Sequence, residues 1–288
     1  MLDYHLHLWP HGQRDMNPTL DVLHEYCKLA EENGVKEIAI TEHLFRFAQV
    51  DRFMGGFFKQ YPDSAVRAIM ESYWADHARA DLDRYVEVAL AAKDAGFPIV
   101  LGMEVDYYPG RMSEVSDFLA GYPFDVLLGS VHWLGAWPFD HISDPVIMAE
   151  WDNFGVENAW EQYTTALEEL AGCQSVDVLA HPDLVKVAGR FPKVPEEFYD
   201  RMAEAARDSG IAAEVSSAGL RKPVGETYPA PYLLRKFYQY GVPITTASDS
   251  HGLADVAYKA AEIKSYVQSA GYTSLSGFRS RQSYLVEI

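Results

Sequence analysis

The ten residues 31–40, EENGVKEIAI, join the end of a predicted helix to the start of a predicted strand. A glycine stands between the two patterns, where helices commonly end in a left-handed turn. The same arrangement recurs at residues 92–102 (AKDAGFPIVLG), 206–215 (ARDSGIAAEV) and 238–247 (YQYGVPITTA). Such short returns from helix to strand are typical of right-handed βα units, which build a parallel sheet. The repeated arrangement therefore predicts an α/β fold.

Seven short apolar runs bounded by turn residues are candidate strands of this sheet. The predicted strands are Leu2–Leu8, Glu37–Thr41, Ile99–Val105, Val126–Val131, Val178–Ala180, Ala212–Val215 and Ile244–Ala247. Apolar residues at helical spacing predict helices between them, and the last apolar stripe runs from Leu253 to Val267. We expect a single domain over residues 1–288 with a distorted, TIM-barrel-like (β/α)7 fold. An open, doubly wound sheet is the structural alternative.

Two segments are longer than the loop between a strand and a helix usually is. The first runs from about residue 44 to residue 79 and is rich in Phe, Tyr and Met, and the second runs from about residue 133 to residue 160. Both follow a predicted strand, so both would lie over the same end of the barrel. They are either insertions with a small core of their own or a wall or lid over a site.

The composition narrows the class of protein. The 288 residues carry a formal net charge of −18, which would repel a nucleic-acid backbone. No apolar run approaches the roughly 20 residues of a membrane span. We therefore expect a cytoplasmic protein whose partner is a small molecule rather than nucleic acid or membrane, in an oligomeric state that the sequence does not indicate. Cys27 and Cys173 are expected to be reduced and inside helices.

Seven of the ten histidines stand at or just after the carboxyl end of a predicted strand, and two carboxylates join them. In a parallel barrel these strand ends meet at one face, and residues two apart on a strand point the same way. We expect the nine side chains to converge and to bind metal, because burying so many polar groups together is otherwise costly. The candidate ligands are His5, His7, His11, His43, Glu104, His132, His181, Asp249 and His251. For His24, His77 and His141 we expect surface or structural roles.

The type of donor limits the choice of metal. Imidazoles and carboxylates without thiolates suit Zn²⁺, Mn²⁺ or Fe²⁺ better than Mg²⁺ or Ca²⁺. With about three or four ligands for each ion, nine ligands would hold two or three ions that share a carboxylate. Such a cluster generates hydroxide near neutral pH and stabilises phosphoryl oxygens during displacement. It would also supply the positive charge that this acidic chain lacks.

A second pattern indicates a phosphate ligand. The stretch SSAGLRKPVGETYPAP, residues 216–231, follows the sixth predicted strand. It places Arg221 and Lys222 after a turn at the same face, and an arginine can bind two phosphate oxygens at once. Solvated surface charges are the alternative for this pair. Arg190, after the fifth strand, is a weaker candidate of the same kind.

These motifs resemble the polymerase-and-histidinol-phosphatase (PHP) family of phosphoesterases. The His-x-His pair, His5 and His7, is followed in order by TEH, GMEVDYY, GSVHWL, AHPD and SDSH along nearly the whole chain. Within that family the PHG after the first motif and the SSAGLRKPVGETYPAP stretch are similar to the monofunctional histidinol-phosphatases. The loop between the first motif and His11 is two residues shorter than is usual there. The SSAG of this chain also stands where relatives carry NTAG or NTSG, so polar contacts near Ser216 are expected to differ.

The resemblance implies a trinuclear metal centre. One ion would take His5, His7, Glu104 and Asp249, and a second would share Glu104 with His132 and His181. The third, which the short loop makes the least secure, would take His11, His43 and His251. Glu42 and Asp106 stand beside ligands and are expected to orient imidazoles or to meet the substrate's amine, with a surface role as the alternative.

The implied reaction is hydrolysis of L-histidinol phosphate, in histidine biosynthesis, by a metal-activated hydroxide. The predicted catalytic residues are Arg221, Lys222, Asp249 and His251. Other activities stay open at this point: a PHP phosphoesterase acting on another small phosphate ester or a phosphodiester, or a metal-dependent amidohydrolase. A proofreading domain of a polymerase is disfavoured by the acidic charge.

Overall fold

The computed structural model describes residues 1–13 and 16–288, and its centre is a parallel sheet of seven strands in chain order. The strands are β1 (Leu2–Leu6), β2 (Glu37–Ile40), β3 (Ile99–Asp106), β4 (Val126–Ser130), β5 (Val178–Leu179), β6 (Ala212–Ser216) and β7 (Ile244–Ala247). All seven predicted strands are confirmed, and no predicted end is displaced by more than two residues.

The first and last strands close the sheet almost completely. The hydroxyl of Thr246 donates to the carbonyl of Leu2 at 2.7 Å, and the amide of His7 donates to the carbonyl of Ser250 at 2.7 Å. These bonds link β1 to β7 and to the loop that follows it. The sheet is therefore a distorted, nearly closed seven-stranded barrel, as the sequence predicts.

Helices surround the barrel in the described part of the chain. They are α1 (Leu20–Glu32), α2 (Ala48–Met54), α3 (Ala65–His77), α4 (Leu82–Asp94), α5 (Met112–Leu119), α6 (Pro145–Phe154), α7 (Val156–Gly172), α8 (Pro195–Ser209), α9 (Pro231–Gln239) and α10 (Ala260–Ala270). Side-chain caps begin several of them: Asp81, for example, accepts from the amide of Asp83 at 2.9 Å. None of these helices combines the length and the apolar character that crossing a bilayer requires.

The two long segments are structured and share the core of the barrel. Phe47 and Trp151, one from each segment, are fully buried in the same apolar cluster as Ile38 and Leu101 of the sheet. The segments therefore share the core of the barrel and do not form separate small cores. The second segment ends at Gly155, before the predicted boundary at residue 160, because α7 begins at Val156.

The predicted last helix begins later than its apolar stripe suggests. Ala257 and Lys259 have left-handed backbone torsions, with φ of 55° and 54°, so α10 starts only at Ala260. The amide of Ala257 instead donates to the buried carboxylate of Asp3 at 2.9 Å. Cys27 lies buried in α1 as expected, whereas Cys173 is exposed just after α7.

A C-terminal hairpin, which the sequence analysis does not foresee, covers the amino-terminal end of the barrel. Its strands are β8 (Ser274–Arg279) and β9 (Gln282–Glu287), paired antiparallel. Leu275 and Phe278 are buried in the same apolar cluster as Leu2 and Val100, which lie near the amino-terminal ends of β1 and β3. The opposite end of the barrel is where the candidate ligands lie.

Candidate metal centre

Two buried histidines lie side by side at the end of β1, His5 within the strand and His7 just after it. The Nε2 atoms of His5 and His7 are 3.1 Å apart, which confirms that residues two apart share a face here. An irregularity in the pairing of β1 with β2 falls between Asp3 and Leu6. Such bulges re-aim side chains and are frequent beside active sites.

Asp249 reaches the same point from the loop after β7. Its Oδ1 atom lies 3.5 Å from His7 Nε2 and 3.9 Å from His5 Nε2. Asp3 of β1 holds this loop in place, because its carboxylate accepts from the amide and the hydroxyl of Ser248, each at 2.7 Å. Asp249 itself adopts a left-handed conformation, with φ of 51°, and His181 has φ of 28°. Torsions of this kind in residues other than glycine cluster at functional sites.

Glu104, fully buried near the end of β3, lies at the centre of the histidines. The shortest distances from its carboxylate oxygens to ring nitrogens are 2.6 Å to His43, 3.1 Å to His181, 3.3 Å to His5, 3.4 Å to His132 and 3.5 Å to His7. One carboxylate thus faces imidazoles from five different positions in the chain. This is the geometry expected of a carboxylate shared between cations.

Two further carboxylates contact the Nδ1 atoms of imidazoles whose Nε2 atoms face Glu104. Asp106 lies 2.6 Å from His132 Nδ1, and Glu214 lies 2.7 Å from His5 Nδ1. Because an ionised carboxylate only accepts, these contacts place the proton on Nδ1 and leave Nε2 free to bind a cation. Asp106 was expected in this role; Glu214 was missed, although a carboxylate inside the apolar run IAAEVS was a usable signal.

Glu42 orders the loop after β1 rather than a single ring. It accepts from the amides of Leu8 and Trp9 at 2.5 Å and 3.1 Å and forms a buried ion pair with Arg46 at 2.8 Å. It also lies 3.6 Å from His7 Nδ1. Glu42 is therefore a buried carboxylate that holds this loop, which contradicts the surface role, and its orientation of an imidazole or of the substrate's amine stays a prediction.

The remaining histidines complete the outer side of the cluster. His43 Nε2 and His251 Nε2 lie 3.4 Å apart, and the ring of His11 stacks on that of His251 at 4.2 Å. His11 Nδ1 contacts the Tyr73 hydroxyl at 3.1 Å and Arg46 at 3.4 Å. All nine predicted ligands therefore lie at one face, with His11 at its edge.

The donor set fits transition-metal ions. The described residues form four groups whose ligand atoms lie within 4.8 Å of one another: His7 with His43 and His251, His5 with Glu104 and His181, His5 with His7 and Asp249, and His43 with Asp106 and His132. His11 lies beside these groups. In residues 1–13 and 16–288, buried atoms without a hydrogen-bond partner include His7 Nδ1, His43 Nδ1 and Glu104 Oε2. Buried polar atoms rarely stay unpartnered unless an ion or water completes them.

Two residues of the cluster are held in the form that binds a cation. Burial acts to raise the pKa of Glu104, but His43, His5 and His132 outweigh it and hold that pKa well below its usual range. Burial, together with the nearby His7, lowers the pKa of His251 well below its usual range. An ionised carboxylate beside a neutral imidazole is the state in which both bind a metal. For His5, His7 and His132 burial lowers the pKa, but nearby carboxylates raise it by more, so a metal ion must displace a proton from those rings.

A cleft opens beside the cluster, and the two predicted cationic residues have different relations to it. Lys222 lines the cleft together with Tyr228 and Asp249. Arg221 donates from Nη2 to the carbonyls of Ser248 and Asp249 at 2.8 Å and 2.9 Å, so it supports the loop that presents Asp249. A direct contact of Arg221 or Lys222 with phosphate stays a prediction.

The cleft also contains residues that the sequence analysis did not assign to the site. Asp140, His141 and Tyr73 come from the two long segments, and Tyr228 comes from the loop after β6. His141 had been expected to have a surface or structural role. His24, in contrast, lies exposed in α1, and His77 is held by the carbonyl of Tyr73 at 2.7 Å.

Comparison with known proteins identifies the family. The model of the PHP domain matches residues 5–218. A protein from Deinococcus radiodurans named "Probable histidinol-phosphatase" is 27% identical over 285 residues, which cover 98% of this chain and 98% of the relative. One of the same name from Schizosaccharomyces pombe is 25% identical over 189 residues, covering 62% of this chain and 61% of the relative.

Solved structures show the same fold. The "putative histidinol phosphatase hisK" from Listeria monocytogenes superposes with a TM-score of 0.73 at 22% identity, covering 91% of this chain and 99% of that one. The histidinol phosphate phosphatase of Lactococcus lactis, solved in complex with zinc, L-histidinol and phosphate, superposes with a TM-score of 0.68 at 19% identity, covering 98% of each chain. With the family model matching most of its length, this chain belongs to the PHP domain family and is similar to the histidinol-phosphatases within it.

Proposed function

We propose that the chain is a metal-dependent phosphomonoesterase that hydrolyses L-histidinol phosphate to L-histidinol and phosphate, a step of histidine biosynthesis. The observation that carries the proposal is the convergence of five imidazoles, from four parts of the chain, on the buried carboxylate of Glu104. The names of full-length relatives support the substrate, as does the complex of the Lactococcus lactis protein with L-histidinol and phosphate.

The ligands assigned to the metal are the nine residues named above, for two or three ions of zinc, manganese or iron. Metal ions bound there would shield the charge of the phosphate and acidify a water molecule for attack on phosphorus. Asp106 and Glu214 keep the rings of His132 and His5 in the orientation and tautomer that binding needs. Both orientations are set by contacts within the protein and do not require bound substrate.

The two cationic residues of the stretch 216–231 have different proposed roles. Lys222, in the cleft wall, attracts the phosphate dianion into a protein whose net charge is otherwise −18. Arg221 holds the carbonyls of Ser248 and Asp249 and so fixes the position of the Asp249 carboxylate. We assign phosphate attraction to Lys222 and loop positioning to Arg221.

Steady-state kinetics of the zinc-loaded and manganese-loaded protein tests the proposal. The panel is L-histidinol phosphate, a sugar phosphate, p-nitrophenyl phosphate and a phosphodiester. We expect kcat/KM for L-histidinol phosphate to exceed the others by about 100-fold, which is the scale of discrimination that several specific contacts provide. A preference for the diester or the sugar phosphate would contradict the proposed substrate.

A pair of histidine variants separates the site from the rest of the protein. His132→Ala removes one of the rings on Glu104 and should lower kcat/KM by about 100-fold or more. His24→Ala removes an exposed histidine of α1 and should leave kcat/KM unchanged. Full activity in His132→Ala would contradict the role of the metal centre.

A further inference from the structure

The cleft continues beyond the metal ligands into a wall built by the two long segments. One side of this wall comes from residues of the first segment and the other from residues that follow β4. Its lining includes Phe45, Met70, Tyr73, Trp133, Asp140 and His141. This part of the cleft is therefore available to the part of a substrate that does not react.

Asp140 brings an unpaired negative atom to this wall. Its Oδ1 atom is buried and has no hydrogen-bond partner within residues 1–13 and 16–288. The backbone around it is fixed, since its carbonyl accepts from the amide of Ile142 at 2.8 Å and its neighbour Phe139 is fully buried. A buried carboxylate oxygen on a rigid turn is costly unless a ligand completes it.

Aromatic rings line the same cleft as Asp140. The ring of Tyr73 lies 4.7 Å from that of His141 and 5.6 Å from that of Phe45. Phe45 lies 6.4 Å from Trp133. A cationic group beside aromatic faces gains both from the carboxylate and from the ring electrons, and a flat ring gains from stacking on them.

Charge differs between the two ends of the cleft. Lys222 enters the cleft from the loop after β6, and its neighbour Arg221 contacts the loop after β7. Asp140 enters the cleft from the segment after β4, a strand that β5 separates from β6 in the sheet. A ligand with an anionic and a cationic end would match this separation of charge.

We propose that Asp140 binds the protonated amino group of the substrate, so that the site selects phosphate monoesters that carry an ammonium group over those that do not. The inference deepens the proposed function and rests on it for the identity of the ester. Asp140 is thereby a residue of substrate specificity, supplied by the segment after β4.

The variant Asp140→Asn tests the proposal because it removes the charge and keeps the size of the side chain. We expect KM for L-histidinol phosphate to rise about 10- to 100-fold, the range for losing a hydrogen bond to a charged group. Kinetics with p-nitrophenyl phosphate, which has no ammonium group, should be unchanged. Calorimetry should show L-histidinol binding to the zinc-loaded variant more weakly by a similar factor. Glu157→Gln, which removes an exposed carboxylate from the same region, is the matched control and should change neither quantity.

A second comparison keeps this inference separate from the identity of the substrate. Phosphoethanolamine and ethyl phosphate differ only in the amino group, so the ratio of their kcat/KM values reports the recognition of that group. We expect the ratio to exceed one in the wild-type protein and to fall toward one in Asp140→Asn. If L-histidinol phosphate is not hydrolysed but this ratio behaves as expected, only the proposed substrate fails. An unchanged ratio, or a loss of bound zinc in Asp140→Asn, would overturn the role assigned to Asp140.

Discussion

The two ends of the barrel both bury charged side chains, but they satisfy them differently. At the amino-terminal end, each carboxylate finds its partners within the protein. Asp177 accepts from the amide of Leu127 at 2.8 Å and from both Nε and Nη2 of Arg281 at 3.0 Å. At the carboxyl-terminal end, Glu104 is surrounded by imidazoles yet keeps Oε2 without a hydrogen bond among the described residues.

The hairpin supplies several of the partners at the amino-terminal end. Arg281 lies in its turn, and the amide of Ser280 donates to Asp125 at 3.1 Å. Glu37 accepts from Tyr284 at 2.7 Å and also from Tyr4 and Arg279. This end of the barrel is therefore complete without a ligand.

The comparison separates stability from function within one scaffold. Completed hydrogen bonds stabilise the fold, whereas convergent polar atoms left incomplete mark a place for a ligand. Changes at one end should accordingly affect activity, and changes at the other should affect stability.

The largest expected effect comes from Glu104→Gln. The variant keeps the shape of the side chain but removes the negative charge that the histidines surround, so we expect activity to fall by about 1,000-fold or more, with loss of bound metal. Kinetics and elemental analysis of the same preparation measure both effects. Near-normal activity with a full complement of metal would remove the distinction between the two ends.

An intermediate effect is expected from Asp177→Ala, on stability alone. It leaves the amide of Leu127 without its acceptor and Arg281 without its carboxylate partner, although Arg281 keeps its bond to the carbonyl of Ser175. The free energy of unfolding should fall by about 2 kcal/mol. Most of this loss arises from the amide, because the ion pair is partly exposed and screened. Urea denaturation measures the loss; kcat for the preferred substrate should be unaltered. A large fall in kcat would show that the two ends are coupled.

The smallest effect is expected from Tyr284→Phe. Glu37 loses one hydrogen bond but keeps those from Tyr4 and Arg279. The free energy of unfolding should therefore fall by only about 0.5 to 1 kcal/mol. A loss as large as that of Asp177→Ala in the same denaturation experiment would mean that the Glu37 cluster, rather than the Asp177 ion pair, is the main tie of the hairpin.

The sequence predicted the barrel well because its seven strands are short apolar runs with a glycine before several of them. The C-terminal hairpin was not predicted, because its turn contains no glycine or asparagine. The turn residues Ser280 and Arg281 nevertheless take left-handed torsions, with φ of 48° and 60°. Hairpin turns are normally recognised by those residues. The strand β9 is also largely exposed and carries no clear apolar alternation.

The metal ligands were predictable because they follow strand ends, where the topology of a parallel barrel brings them together. The residues that were missed depend on tertiary packing rather than on a place at the end of a strand. Asp140 reaches the cleft only because buried rings such as Phe139 and Trp151 hold its turn in place. The late start of α10 likewise depends on Asp3, at the other end of the chain, accepting from Ala257.

The number of metal ions bound by the wild-type chain tests the central claim most directly. The protein is loaded with zinc, freed of unbound metal and subjected to elemental analysis against protein concentration. We predict about two or three zinc ions for each chain, since the converging ligands suffice for that number at three or four per ion. A chain that retains no zinc under these conditions would contradict the account of the carboxyl-terminal end of the barrel.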